Sequence, residues 1–211
     1  EYRARDAFAG RDAEAAIGLR NRWTLQRGLV LNTSYERVAR LRGTGVEATA
    51  VTGGIEYTRN PLWRGTARLE FRDATGGDSW LGSLGYARKV TRDVTFLGRS
   101  LFSDIANTQT QSRTQLGFAF RQTDTDTWNA LARYEYRYDD SRPAGSVETE
   151  SRAHILSAHL NVRVRSNLTL SGQYATKLGR EDVGGIGSAL TAHLFTTRAL
   201  MDLSKNWDAA L

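Results

Sequence analysis

Cysteine is missing from the 211 residues altogether, proline occurs twice and methionine once. Without cysteine the chain can form neither a disulfide framework nor a thiolate metal site. Long apolar runs are missing as well: 40% of the residues are hydrophobic, mean hydropathy is negative, and no window approaches the roughly 18 uninterrupted apolar residues of a membrane helix. A helical membrane protein is thereby excluded. Scarce proline, twenty glycines, and Thr, Tyr, Phe, Trp and Val spread evenly along the chain suit pleated strands joined by glycine-bearing turns. The class is all-β, in a single domain over residues 1–211. The net charge is +6, yet the arginines recur at alternate positions of successive segments instead of forming one basic run. That distribution lacks the footprint of a nucleic-acid-binding surface, so no nucleic-acid partner is expected.

The period of two is clearest in residues 63–73. Trp63, Gly65, Ala67, Leu69 and Phe71 alternate with Arg64, Thr66, Arg68, Glu70 and Arg72. Side chains of a strand point to opposite faces in turn, so one face here is apolar and the other strongly charged. Residues 128–139 repeat the arrangement without a gap: Trp63 aligns with Trp128, Ala67 with Ala132, Arg68 with Arg133, Glu70 with Glu135 and Arg72 with Arg137. Glu1-Tyr2-Arg3 reads as the second half of this element and Trp207-Asp208-Ala209-Ala210-Leu211 as its first half, so both ends are expected to be cut mid-strand.

Turn signals alternate between two kinds. Short connections are expected near residues 24–26, 59–62, 91–93, 123–126, 166 and 204–206, and longer polar ones near 6–11, 42–45, 74–78, 106–111, 139–151 and 179–187. This spacing predicts an antiparallel up-and-down meander of eleven full strands with a partial one at each end, about twelve strands in all. Three features favour a transmembrane β-barrel over a soluble sheet. Connection lengths differ between the two sides, as periplasmic turns differ from extracellular loops. Aromatics sit at the ends of the apolar face: Trp23, Trp63, Tyr86, Phe96, Trp128 and Trp207 beside the short turns, and Tyr35, Phe71, Tyr134, Tyr136 and Tyr138 nearer the long ones. A strand from Trp128 to Tyr138 rises about 33 Å, and a tilt near 40° leaves about 25 Å along the membrane normal, the height of an apolar band. Finally, the opposite face carries Arg64, Arg68, Glu70, Arg72, Arg99, Arg133, Glu135, Arg137, Arg163 and Arg165, too much charge for a dry core. A wet lumen satisfies it.

The W-x-A-x-A-R-Y-E-Y-R element at residues 128–137, the alternation, the aromatic girdles and the hairpin meander resemble a bacterial outer-membrane β-barrel. More narrowly they resemble the C-terminal barrels of large proteobacterial cell-surface proteins. The resemblance implies the outer membrane of a Gram-negative bacterium, with its lipid, lipopolysaccharide and barrel-assembly machinery as partners, and other strands or chains completing a larger barrel. It implies a surface anchor or a passive pore with an arginine-rich lumen, without cofactor or enzymatic activity. A barrel enzyme acting on lipids and a soluble all-β binding protein are the alternatives. Leu211 departs from the aromatic last residue of such barrels, in keeping with a chain cut within a strand.

Other chemistry is thinly represented. A ring of guanidinium groups raises local anion concentration, whereas the same arginines paired with Glu70 and Glu135 would form a structural ladder. Ser157 and His159 share the charged face and invite a hydrolase reading, but no orienting partner accompanies them. His154 falls on the other face, which spoils a two-histidine metal site, and His193 stands apart; no metal is expected. Gly184-Gly185-Ile186-Gly187 lacks the Lys-Ser/Thr of a phosphate loop and reads as an external loop. Asp139, Asp140, Glu148, Glu150, Glu181 and Asp182 are placed in the long loops as solvated charge.

Overall fold

A computed structural model describes residues 2–7, 10–42, 47–106, 108–142, 145–204 and 207–210, with side chains over 15–41, 47–106, 108–142 and 145–201. Its elements are all strands: β1 Tyr2–Ala7, β2 Gly10–Gln26, β3 Leu29–Arg42, β4 Ala48–Tyr57, β5 Trp63–Ala74, β6 Ser79–Lys89, β7 Val94–Ile105, β8 Gln109–Arg121, β9 Trp128–Ser141, β10 Thr149–Arg165, β11 Leu168–Val183, β12 Ile186–Ser204 and β13 Trp207–Ala210. They form one antiparallel sheet in strict chain order, β1 to β13. Among the described residues β1 pairs only with β2 and β13 only with β12, so the sheet is open. Eleven long strands flanked by two short ones is the meander that the turn spacing predicts.

Among the described residues no second layer covers either face. Among the described residues Ala153 is the one buried hydrophobic residue, at 8% exposure. The accessible surface is 15469 Å², against about 9,800 Å² for a compact soluble protein of the same mass. A sandwich would bury one face of each sheet, so the soluble all-β alternative fails on this count. Direct ladder partners share a face, and one face collects Leu19, Tyr35, Val51, Phe71 and Trp80 along a single row. Leu19, Val51, Leu69, Leu84, Phe118, Leu156 and Leu178 on that face are all more than half exposed. Only hydrocarbon makes such a face favourable, because exposing this much apolar surface to water forfeits about 25 cal/mol per Å².

Among the described residues the expected asymmetry of connection length is not observed. One side of the sheet turns at residues 27–28, 58–62, 90–93, 122–127 and 166–167, and the other at 75–78, 106–108, 142–148 and 184–185. The segments read as long loops are largely strand: Asp139 and Asp140 lie in β9, Glu150 in β10, and Glu181 and Asp182 in β11, leaving Glu148 in a connection. β10, β11 and β12 have 17, 16 and 19 residues, where about 9–11 suffice to cross the hydrocarbon. Beyond the band nothing requires one face to be apolar, so polar residues continue the ladder. Gly184 and Gly185, with φ of 60° and 85°, close β11 to β12 in two residues. Positive φ at both positions is what a tight hairpin turn demands.

Gly28 does the same between β2 and β3, with φ of 75°. A Cβ there would lie 2.6 Å from the Arg59 backbone. Gly28→Ala is therefore expected to cost about 2–4 kcal/mol, read as a lower urea midpoint of the folded protein in detergent. Gly53→Ala, where a Cβ meets nothing within 4 Å, should stay within about 1 kcal/mol of the parent.

Candidate functional site

The charged face is built by β5 and β7 to β11. The Arg-x-Glu-x-Arg spacing puts three charges on one side of β5, where Arg68 Nη2 lies 2.8 Å and Arg72 Nη2 3.7 Å from the Glu70 carboxylate. The Thr52 hydroxyl on β4 donates to the same carboxylate at 3.4 Å. On β9 the counterpart is more enclosed. Glu135 is 1% exposed, the one fully buried large side chain among the described residues. It accepts from Arg137, from Arg113 Nε at 2.8 Å and from Gln115 Nε2 at 2.8 Å. Arg113 and Arg137 are direct ladder partners across β8 and β9. Two like charges so placed repel, and Glu135 neutralises both at once. Asp139, next along β9, accepts from Gln111 Nε2 at 2.9 Å. Arg113, Gln111 and Gln115 are absent from the sequence reading, although their alternation in β8 repeats the polar spacing of β9.

Four of the arginines expected on this face are not neutralised. Among the described residues no carboxylate pairs with Arg64, Arg99, Arg133 or Arg163, and all four are exposed. Arg133 faces Gly117 on one side and Ser157 on the other. Arg99 faces Gly85 and Gln115, and Arg64 faces Ala87. Small neighbours leave the guanidinium forks uncovered. Arg165 departs from its expected place: a bulge between Arg163 and Arg165 sets it opposite Leu168, on the row of the apolar face. One extra residue in one strand reverses the faces beyond it.

The apolar face carries the aromatics. Beside the turns at 58–62, 90–93 and 122–127 runs a chain of rings: Tyr57 on Trp63 at 4.1 Å, Tyr86 near Phe96 at 6.2 Å, Phe96 on Phe118 at 5.2 Å and Phe120 on Trp128 at 4.0 Å. Trp23 lies on the same face opposite Leu31. Towards the other end Phe71 meets Trp80 at 4.6 Å, and Tyr136 lies 5.1 Å from His154. Tyr134 shares a hydrogen bond of 2.7 Å with His154, and Tyr174 one of 2.9 Å with His193. Each pairing satisfies a phenol and an imidazole nitrogen within an otherwise apolar face. Tyr57, Trp80, Phe118, Phe120 and Tyr174 were not singled out from sequence. Trp207 pairs with Ser204, and its side chain lies outside the described residues.

His159 sits on the charged face between Leu131 and Gln173, and the Ser157 hydroxyl donates to the Arg133 carbonyl at 3.5 Å. Among the described residues no three His or carboxylate side chains gather as metal ligands. At the turns, Thr123 donates its hydroxyl at 2.6 Å and its N–H at 3.0 Å to Asp93, and these bonds hold the Asp93 carboxyl below its ordinary pKa. The clamp is intact above the ordinary carboxylate value and releases as pH falls through the lowered one.

No protein-family model and no curated protein sequence matches the chain. Solved structures do. The outer membrane channel DcaP of Acinetobacter baumannii matches over 90% of this chain and 64% of its own length, at 12% identity and a TM-score of 0.58. The alcaligin outer membrane receptor FauA of Bordetella pertussis matches over 95% and 40%, at 9% identity and 0.59. The ferric citrate transporter FecA matches over 93% and 40%, at 11% identity and 0.56. The chain thus spans less than two thirds of each. At these identities the likeness is one of fold, and the fold is that of outer-membrane β-barrels.

Glu135→Gln leaves Arg113 and Arg137 facing each other without an anion. Because the two arginine side chains are 43% and 51% exposed, water recovers part of the loss, and a destabilisation of about 1–3 kcal/mol is expected in detergent unfolding. Asp124→Asn, which breaks the exposed pair with Arg92, should change stability by less than about 1 kcal/mol.

Proposed function

We propose that this sheet forms part of the wall of a passive pore in the outer membrane of a Gram-negative bacterium, with the charged face lining a water-filled interior that favours anions. The observation that carries the reading is the set of unneutralised guanidinium groups at Arg64, Arg99, Arg133 and Arg163. Structural arginines are expected to look like Arg113 and Arg137, locked on a carboxylate. Free ones raise the local concentration of anions and repel cations. The aromatics at either end of the apolar face fit the two interfaces of a bilayer, and lipid, lipopolysaccharide and the barrel-assembly machinery are the partners of this reading. Open edges at β1 and β13 would leave N–H and C=O groups unsatisfied in hydrocarbon. Further strands, from the same chain or from other chains, therefore close the wall. The reading assigns the chain no reaction and no cofactor.

In a planar bilayer the complete protein should conduct, and its reversal potential in a potassium chloride gradient should favour chloride. Replacing Arg64, Arg99 and Arg133 by glutamine should abolish that preference. Raising ionic strength from about 0.1 to 1 M should weaken it in the parent, as the screening length falls from about 10 to 3 Å. A folded, inserted barrel that carries no current overturns the pore and favours a surface anchor of the kind found in large cell-surface proteins.

A further inference from the structure

Guanidinium and carboxylate groups two residues apart on one strand or its continuation recur in this sheet, and five such pairs close: Arg68 and Arg72 on Glu70, Arg137 on Glu135, Arg142 on Asp140 and Arg152 on Glu150. β11 has the same spacing at Arg180 and Asp182, and there the pair stays open. Neither residue has an ion-pair partner among the described residues. Asp182 Oδ1 accepts the Gly185 N–H at 2.8 Å, which fixes the carboxylate beside the turn. Arg180 stands directly opposite Arg152, an unfavourable placement for like charges without an anion between them. Arg152 is itself fixed, with Nε 2.6 Å from Glu150 and its guanidinium 5.6 Å above the Tyr138 ring.

These residues belong to the apolar face, and their order along the strands is regular. The ladder row of Tyr136, His154 and Leu178 is followed by Tyr138, Arg152 and Arg180, and that by Asp140, Glu150 and Asp182. Successive rows are about 7 Å apart. Leaving the apolar band, a lipid thus meets rings, then guanidinium, then carboxylate. We propose that this end of β10 and β11 binds a phosphoethanolamine headgroup, with its phosphate on Arg180 and Arg152 and its ammonium on Asp182. In such a lipid the phosphate lies next to the acyl chains and the ammonium one step further out, the same sequence of charges as the rows. The guanidinium fork suits two phosphate oxygens, and the ammonium supplies donors to a carboxylate. A phosphoglycerol headgroup would answer the arginines and leave Asp182 without a counter-charge.

The inference rests on the membrane placement proposed above, and one experiment separates the two. The complete protein is folded into detergent micelles containing equal amounts of phosphatidylethanolamine and phosphatidylglycerol, and retained lipid is identified by native mass spectrometry. The parent should retain phosphatidylethanolamine severalfold over phosphatidylglycerol. Arg180→Gln should lose retention of both, whereas Asp182→Asn should keep phospholipid and lose the preference. A folded parent that retains the two lipids equally, or an Arg180→Gln variant that retains them as the parent does, overturns the headgroup site and leaves the pore standing. Retention of co-purified lipopolysaccharide in place of phosphatidylethanolamine also overturns it. A complete protein that will not fold in micelles overturns both readings.

Discussion

In a pleated strand the direction of one side chain fixes that of the next, so a single sheet that turns one face to hydrocarbon must put everything else on the other. With no second layer to bury either face, this constraint governs the whole molecule. Leucine, valine and aromatic residues that would form the core of a soluble protein lie exposed, and among the described residues the most enclosed large side chain is the carboxylate of Glu135. What resembles a core here is electrostatic: one buried anion shared by Arg113, Arg137 and Gln115. Such an arrangement holds two neighbouring strands at a fixed register without excluding water from the rest of the charged face.

The two faces solve opposite problems by the same device, pairing groups across adjacent strands. On the charged face repulsion between arginines is relieved by carboxylates at Glu70 and Glu135, whereas Arg99 and Arg133 have no carboxylate partner among the described residues. On the apolar face the risk is an unsatisfied polar atom in hydrocarbon, met by closing Tyr134 on His154 and Tyr174 on His193. Those histidines are thereby explained without a metal or a nucleophile. On the proposed pore reading, the contrast between neutralised and free arginines on one continuous sheet separates groups that hold the wall from groups available to a solute.

Much of this was legible in the alternation of residues 63–73 and 128–139, because a period of two survives any error in where a strand starts. Strand order followed from short connections. Cross-strand partners did not: that Arg113 meets Arg137 depends on the register set by the 122–127 turn, which composition does not encode. The displacement of Arg165 was hidden for the same reason, since the bulge beside it is a property of two strands together. Residues 139–151 and 179–187 were misread because charge was equated with loop. Past the apolar band a strand pays no penalty for two polar faces, and the pattern that announces it disappears.

The paired extension of β10, β11 and β12 past the band shapes how this surface can vary. A loop absorbs an added residue locally, but within a ladder one insertion exchanges inside for outside along the remainder of the strand. Between β9 and β12 length changes on this side are therefore confined to residues 142–148 and the two-glycine turn at 184–185. Elsewhere divergence must proceed by exchange of side chains on a stiff ribbon, so a molecule approaching this rim would meet altered chemistry on an unaltered outline.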